Sequence, residues 1–184
     1  LETLSSYPIS LLKFSETFNY SRVNNLGVEQ ANGEYIVLLN NDTEVITPHW
    51  IEQLLYHTEK SHVGICAPLL TYPDSSVQHA GVVLGIRGTA DHIMRGFNKE
   101  WDWYFGSLSC PREVSAVTAA CLMISKDDYY AVGGLNEFFQ THYQDVDLCL
   151  KIRKLRKSII FTPLVELMHS ESVSRKSYYD LIDR

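Results

Sequence analysis

One apolar stretch, residues 33–42 (GEYIVLLNND), indicates the fold class most directly. Its five consecutive apolar residues, 35–39, predict a central strand that is covered on both faces. The Asn-Gly pair just before the strand is typical of the end of a helix. The strand stops abruptly at Asn40, Asn41 and Asp42. We therefore expect a buried strand whose carboxyl end opens directly into a polar, acidic turn.

Helical and β-type segments alternate along most of the chain. Helices are predicted at 19–31, 48–60 and 145–156, and strands at 34–39, 63–69, 77–84, 114–124 and 159–162. A shorter helix is expected after Ser125, which begins a capping box. This alternation is the pattern of an α/β domain with a mixed, largely parallel sheet that is flanked by helices.

Composition excludes several classes of protein. The chain has 16 Lys and Arg against 22 Asp and Glu, a formal charge of −6, and no dense basic stripe, so no nucleic-acid partner is expected. The longest apolar runs fall far short of the roughly 18 to 20 residues of a membrane span, so no transmembrane segment is expected. The four cysteines are widely spaced and form no CxxC pair, which indicates mostly buried thiols in a reducing compartment.

The turn at residues 40–42 is the first candidate site. Open parallel α/β sheets bind ligands beyond the carboxyl ends of their strands. A carboxylate at Asp42 could hold Mg²⁺ or Mn²⁺ against a diphosphate, because hard cations prefer oxygen ligands. On this tripeptide alone an ordinary turn is favoured, since Asn and Asp side chains bond to their own backbone.

Two later segments carry further candidates. Asp145 and Asp147 begin a predicted helix, where acidic residues already complement the helix dipole. They lie about 200° apart around the helix, so at most one of them faces a pocket, where it could accept a proton from a hydroxyl nucleophile. His169 follows an apolar run, and a lone histidine is most often structural. Convergence of Asp42, Asp145 and His169 on one edge of the sheet would indicate a metal-diphosphate site.

The ordered set of motifs resembles the family-2 glycosyltransferases with the GT-A fold, a Rossmann-like fold of nucleotide-diphospho-sugar transferases, and particularly their bacterial rhamnosyltransferase-like members. The resemblance covers most of the chain. Its motifs are FNYS at 18–21, NLG at 25–27, GEYIVLLNNDTEV at 33–45, QHAGVV at 78–83, GGLNE at 133–137, YQDVDLCLKIR at 143–153 and His169. Asn40, Gln144 and Asn136 depart from the family pattern, since each stands where an acidic residue is common.

The resemblance implies an inverting transfer of a sugar from a nucleotide-diphosphate sugar to a hydroxyl acceptor. A saccharide or lipid-linked saccharide in cell-surface polysaccharide synthesis is the implied acceptor. Asp42 and His169 would be metal ligands for Mg²⁺ or Mn²⁺, Asn41 would lie beside the donor diphosphate, and Asp145 would be the general base. The implied location is the cytoplasm, and peripheral association with the inner face of the membrane is also open.

For each of two residue pairs, two alternative roles are open. Arg175 and Lys176 would neutralise the leaving diphosphate from the tail of the chain, or form a solvated basic pair, with equal weight. Trp101 and Trp103 would stack on an acceptor sugar, or pack a loop against the core, which is slightly favoured.

The beginning of the chain has no counterpart of the family's opening. Residues 1–17 offer only a short predicted strand at 9–14, and nothing in them matches the first nucleotide-binding strand and helix units. We therefore expect residues 1–184 to be a single catalytic domain truncated at its amino end. Such a chain would bind a nucleotide sugar weakly and turn over poorly.

Two other functions compete with glycosyl transfer. The substitutions at Asn40, Gln144 and Asn136 suggest a non-catalytic carbohydrate- or nucleotide-binding module on the same fold. A nucleotidyltransferase is the weaker alternative, because the chain has no Gly-rich, Lys-containing phosphate loop.

Overall fold

The computed structural model describes residues 9–86, 89–101 and 105–170. The helices within these residues are α1 Tyr20–Gln30, α2 Trp50–Thr58, α3 Lys126–Ala131 and α4 Gln144–Lys154. The strands are β1 Tyr35–Leu39, β2 Thr43–Val45, β3 Val63–Thr71, β4 Val77–His79, β5 Val82–Leu84, β6 Ala90–His92, β7 Arg112–Val114, β8 Cys121–Ser125 and β9 Ser158–His169.

Strand β3 is the centre of a seven-stranded sheet. All nine of its residues are buried, because it lies between β8 and β9 in the order β1-β8-β3-β9-β2. Strand β4 also pairs with β3, β7 pairs with β9, and β5 and β6 form a separate two-stranded sheet. Strand β9 is bordered by β7 along its first half and by β2 at its end, where Thr43 lies opposite His169.

Two clusters of buried side chains cover the two faces of this sheet. Successive residues of β3 point to opposite faces, so Ile65 belongs to the larger cluster and Cys66 to the smaller one. Helices α1, α3 and α4 supply side chains to the larger cluster, whereas Leu54 of α2 packs in the smaller one. The sheet therefore has helices on both faces, as the apolar character of β3 requires.

The mixed α/β class is confirmed, but the direction of strand pairing differs from the expectation. Among the described residues only β3 and β9 pair in parallel, and the other pairs are antiparallel. The prediction of a largely parallel sheet is therefore wrong for this part of the chain. An alternation of helices and strands does not fix the direction in which distant strands meet, and here β8 inserts between β1 and β3.

Strand β1 is confirmed as a strand but is not central within the described residues. It pairs only with β8 there, and its burial alternates along its length. Ile36 belongs to the larger cluster and Val37 packs against the smaller one, which explains why the run is apolar throughout. The last residue, Leu39, is 44% exposed.

Several predicted boundaries are wrong for identifiable reasons. The segment 77–84 divides into β4 and β5 at Gly81, whose φ is +105°. The segment 114–124 divides into β7 and β8, because those strands pair with different neighbours. Strand β9 continues through Pro163, which lies in a shift of its register with β3 and so interrupts no regular ladder bond. Residues 9–14 form no strand.

Helix ends follow local side-chain chemistry. Ser125 caps α3 as predicted, since its hydroxyl accepts a hydrogen bond from the Asp128 amide. The helix predicted at 48–60 begins at Trp50, two residues after Pro48, and the Thr47 hydroxyl accepts from the Glu166 amide at 2.9 Å. Three of the four cysteines are buried, and Cys110 is exposed.

Close packing of β3 against α4 depends on Gly64. A Cβ atom at Gly64 would lie 2.2 Å from Cγ2 of Ile152, whereas a Cβ atom at Gly27 in α1 would meet nothing within 4 Å. We expect Gly64→Ala to lower the free energy of unfolding by roughly 1–3 kcal/mol, the usual cost of overpacking. Gly27→Ala should raise it by about 0.4–1 kcal/mol, because alanine restricts the unfolded chain. Urea denaturation measures both changes, and a shift of the same sign in both variants would contradict this packing.

The fully buried His79 makes folding sensitive to acid. Its ring meets Phe161 edge-on, and its Nδ1 lies 3.1 Å from Nδ1 of His92. Burial holds the pKa of His79 well below its usual range, and the nearby positive charges of His92, Arg112 and Arg95 act in the same direction.

In the unfolded chain His79 binds a proton that it does not bind in the folded protein. The free energy of unfolding therefore decreases as the pH falls below about 6.5. Between about pH 7.5 and pH 5.5 this residue should lower the free energy of unfolding by about 1.4 kcal/mol. The decrease over the same pH range should be smaller by that amount in His79→Leu. Replacement of His49, whose side chain is 80% exposed, with Gln is the control and should leave the loss unchanged. Urea denaturation at both pH values decides, and an undiminished loss in His79→Leu would refute the assignment.

Candidate active site

Pairing of β2 with the end of β9 brings Asp42 and His169 together. The Ser170 amide donates to the Asp42 carbonyl at 3.0 Å, which closes the turn after β1 against the end of β9. Nε2 of His169 lies 3.0 Å from Oδ1 of Asp42, and Nδ2 of Asn40 lies 3.4 Å from the same ring nitrogen. The His169 side chain is buried, whereas that of Asp42 is 35% exposed. The pair is therefore open to solvent on its carboxylate side.

Gln78 of β4 holds the opposite edge of the His169 ring. Its Oε1 lies 2.7 Å from Nδ1 of His169, and its Nε2 donates to the His169 carbonyl at 3.3 Å. The second contact fixes which end of the amide faces the ring, because a carbonyl oxygen only accepts. Nδ1 of His169 therefore carries the proton that Oε1 accepts. In the neutral ring, Nε2 then presents its lone pair to Asp42.

The arrangement fits a divalent cation. Nε2 of His169 and a carboxylate oxygen of Asp42 lie only 3.0 Å apart, a contact that either a proton on Nε2 or a metal cation beside both atoms would satisfy. Histidines that bind metals donate their other N–H to a second group, as His169 does to Gln78. The described residues include no group of three or more His, Cys, Asp and Glu side chains that could hold a metal ion. A cation at this pair would therefore take its remaining ligands from phosphate oxygens and water, as Mg²⁺ commonly does.

The Asp145 carboxylate is oriented by backbone amides. Its Oδ2 accepts from the Ala119 amide at 3.2 Å and its Oδ1 from the Val146 amide at 2.9 Å. Its place in the first turn of α4 also lets the helix dipole stabilise its charge. Asp147 instead pairs with Lys151 at 3.1 Å. The two carboxylates therefore have different partners.

A short backbone segment joins Asp145 to the turn after β1. The Asn40 amide donates to the Ala120 carbonyl at 2.9 Å, and the neighbouring Ala119 amide donates to Asp145. The hydroxyl of Tyr20 donates to the Ala119 carbonyl at 2.9 Å and so holds the same residue from another side. The structure thus brings Asp42 and His169 into contact and joins Asp145, through a hydrogen bond, to the adjoining segment.

The other candidate residues differ in how the structure places them. Asn41 is exposed in the turn after β1, and Trp101 is 60% exposed. The loop before Trp101 is anchored to β9, because Nζ of Lys99 lies 2.7 Å from a carboxylate oxygen of Glu166. Trp103, Arg175 and Lys176 lie outside the described residues.

Two polar residues at the site did not stand out as candidates. Gln78 lies in the QHAGVV motif, but no chemistry was assigned to it there. Tyr20 lies in the FNYS motif, next to the Asn19 that caps α1. Both positions were marked only by their inclusion in motifs, because their contacts are long-range.

Comparison with known proteins identifies the family of the chain. A family model described as glycosyl transferase family 2 matches residues 1–132 of the chain. The chain belongs to glycosyl transferase family 2. Within this family-2 chain the matched region contains β1, the turn at Asp42 and Gln78.

Curated proteins similar to this family-2 chain are much longer than the aligned region. The uncharacterized protein y4gI of Sinorhizobium fredii is 43% identical over 168 residues, which cover 91% of this chain and 18% of that protein. The O-antigen biosynthesis protein RfbC of Myxococcus xanthus is 34% identical over 173 residues, covering 90% and 13% respectively. The low-salt glycan biosynthesis hexosyltransferase Agl10 of Haloferax volcanii is 22% identical over 164 residues, covering 86% and 51%.

A solved structure supports the fold of this family-2 chain. The crystal structure of GalNAc-T7 with UDP, GalNAc and Mn²⁺ superposes with a TM-score of 0.63 at 14% sequence identity. The match covers 82% of this chain and 30% of that one. The predicted GT-A fold is confirmed.

None of the helices in the described ranges combines the length and the apolar character that crossing a membrane requires.

The Tyr20 hydroxyl should contribute measurably to the stability of the site. Burial and then the negative charge of Asp145 raise the pKa of Tyr20, so its hydroxyl stays protonated and donates to Ala119. Tyr20→Phe leaves the Ala119 carbonyl without this donor and should cost about 1–3 kcal/mol. The control Tyr130→Phe removes a hydroxyl from a half-exposed residue and should cost less than about 0.5 kcal/mol. Equal costs in urea denaturation would contradict the assignment.

Proposed function

We propose that this chain carries the catalytic site of a metal-dependent, inverting glycosyltransferase. Its donor would be a nucleotide-diphosphate sugar, and its acceptor a hydroxyl of a saccharide or lipid-linked saccharide. The observation that carries the proposal is the contact of Nε2 of His169 with Oδ1 of Asp42 while Gln78 occupies Nδ1. Membership of glycosyl transferase family 2 supports glycosyl transfer as the reaction.

The related proteins suggest where such a reaction would belong. The name of RfbC refers to O-antigen biosynthesis and that of Agl10 to glycan biosynthesis, which supports a role in cell-surface polysaccharide synthesis. GalNAc-T7 was crystallised with UDP and Mn²⁺, which supports a nucleoside-diphosphate donor and a divalent cation. We place the reaction in the cytoplasm, with peripheral association at the inner face of the membrane as a second location.

Asp42 and His169 would hold the cation, and Mg²⁺ or Mn²⁺ bound there would neutralise charge on the leaving diphosphate. The exposed Asn41 would face the donor diphosphate in the same turn. Arg175 and Lys176 would add positive charge beside the diphosphate. These groups would bind and orient the donor with its diphosphate at the turn after β1.

Asp145 would act as the general base. Its two amide hydrogen bonds fix the carboxylate, so it can accept the proton of the acceptor hydroxyl without first reorganising. The acceptor oxygen then forms its bond to the anomeric carbon as the bond from that carbon to the diphosphate breaks on the opposite face. The proton ends on Asp145, the bonding electrons leave with the diphosphate, and one displacement inverts the anomeric centre.

Trp101 would bind the acceptor sugar. Its ring is exposed, and the Lys99–Glu166 ion pair holds the backbone just before it to β9, the strand that ends at His169. Flat aromatic faces suit the apolar face of a pyranose, and we propose the same role for Trp103.

A non-catalytic module on the same fold is the second candidate. Its support is the amide at Gln144, which is buried next to Asp145 and whose Oε1 finds no hydrogen-bond partner among the described residues. An amide there lowers the local negative charge compared with a glutamate. Such a module would bind the donor without transferring the sugar.

Donor turnover by the full-length protein distinguishes the two functions. A panel of UDP-, GDP- and dTDP-sugars is tested with Mn²⁺ and with a chelator. Asp145→Asn should lower turnover by about 10²- to 10⁴-fold, because it removes the base. Asp42→Ala should lower it by roughly tenfold or more and weaken activation by Mn²⁺.

The matched control is Asp147→Asn on the same helix, whose side chain pairs with Lys151. It should keep turnover within a few-fold of wild type. Wild-type rates in both Asp145→Asn and Asp42→Ala would refute the assigned roles, whereas donor binding without any turnover would establish the non-catalytic module. The anomeric configuration of the product, measured by NMR, tests inversion directly.

A further inference from the structure

We propose that Gln78 is a positioning residue that sets the tautomer and ring orientation of His169. The inference deepens the proposed metal site and rests on it for its functional consequence. Its structural part stands on the contacts of Gln78 alone.

The side-chain amide of Gln78 contacts His169 at two points. Its Oε1 accepts from Nδ1 of His169 at 2.7 Å, and its Nε2 donates to the His169 carbonyl at 3.3 Å. Both residues are buried, at 3% and 7% exposure, so water does not readily replace either contact. A ring held at Nδ1 and at its own backbone carbonyl has little freedom to rotate.

A β-bulge places Gln78 where it can make these contacts. Leu70 lies opposite His79 and Thr71 lies opposite Val77, so Gln78 is an extra residue on β4 at that point. Bulges bend a strand and redirect the side chain of the inserted residue. Regular pairing would instead place Gln78 directly opposite Thr71, so the two contacts of Gln78 with His169 depend on this bulge.

The alternative tautomer explains why Nδ1 of His169 needs an acceptor. If Nδ1 had no acceptor, a neutral His169 would gain by moving its proton to Nε2 and donating to Oδ1 of Asp42 at 3.0 Å. That charge-assisted hydrogen bond would occupy the lone pairs that a cation requires. By accepting from Nδ1, Gln78 favours the neutral tautomer in which the Nε2 lone pair faces Asp42.

Imidazole ¹⁵N NMR tests the tautomer directly. The 184-residue chain is labelled at histidine nitrogen, metal is removed, and long-range ¹H–¹⁵N correlations are recorded at mildly alkaline pH. The His169 signals are assigned by their loss in His169→Asn. Wild type should show Nδ1 protonated and Nε2 unprotonated. The opposite tautomer in folded wild type would overturn the proposal without any variant of Gln78.

The variant Gln78→Met keeps the length of the side chain and removes the acceptor. It should shift His169 towards the tautomer protonated at Nε2, whereas the exposed Gln53→Met should match wild type. Retention of the wild-type tautomer in a folded Gln78→Met protein would also overturn the proposal, because a merely structural glutamine would not change the tautomer.

Titration with Mn²⁺ alone separates this inference from the proposed function. Paramagnetic broadening of the His169 signals should require about 10- to 100-fold more Mn²⁺ in Gln78→Met than in wild type, the usual effect of losing a partner of a ligating histidine. Equal Mn²⁺ affinity in both would refute the functional part. A tautomer shift in Gln78→Met without Mn²⁺ binding in wild type would support the positioning role and refute the metal site.

Discussion

The pairing of β2 with the last three residues of β9 joins Asp42 to His169 across 127 positions of sequence. Strand β9 makes this possible because its two halves have different neighbours on one side. Strand β7 borders the first half, and β2 borders the end, so the turn after β1 reaches the final residue of β9. On its other side β9 pairs in parallel with β3, all nine residues of which are buried. The position of the candidate site therefore depends on the core of the sheet rather than on a loop.

Local chemistry made much of this site predictable. The polar turn that ends at Asp42, the acidic first turn of α4 and the apolar run before His169 are all visible within about ten residues of sequence. Long-range pairing was not predictable in the same way. The direction of β8 relative to β1 and β3, and the division of 114–124 into two strands, depend on neighbours that are distant in sequence. Gln78 was missed for this reason, because a bulge exists only relative to the strand that it faces.

Small residues between β7 and β8 have a clear structural purpose. Asp145 and Asn40 both bond to the backbone of Ala119 and Ala120, and Tyr20 bonds to the same segment. Alanine side chains are short enough to let α1, α4 and the end of β1 approach one backbone segment closely. A predicted continuous strand at 114–124 would have used these amides in ladder pairing. Their release from the ladder is what makes the Ala119 amide available to Asp145.

The two carboxylates of the site are held in different environments, and this difference fits two different roles. Asp42 contacts Nε2 of an imidazole whose Nδ1 faces Gln78, an arrangement that fits the proposed cation-binding role. Asp145 forms no ion pair with the described residues; two amides and the dipole of α4 stabilise its charge instead. Dividing a cation-binding role from a proton-accepting role requires such a separation, because one ion bound to both carboxylates would leave neither free to take a proton. The Ala119–Ala120 segment supplies it, since it keeps Asp145 adjacent to the turn of Asp42 while occupying one carboxylate oxygen with an amide.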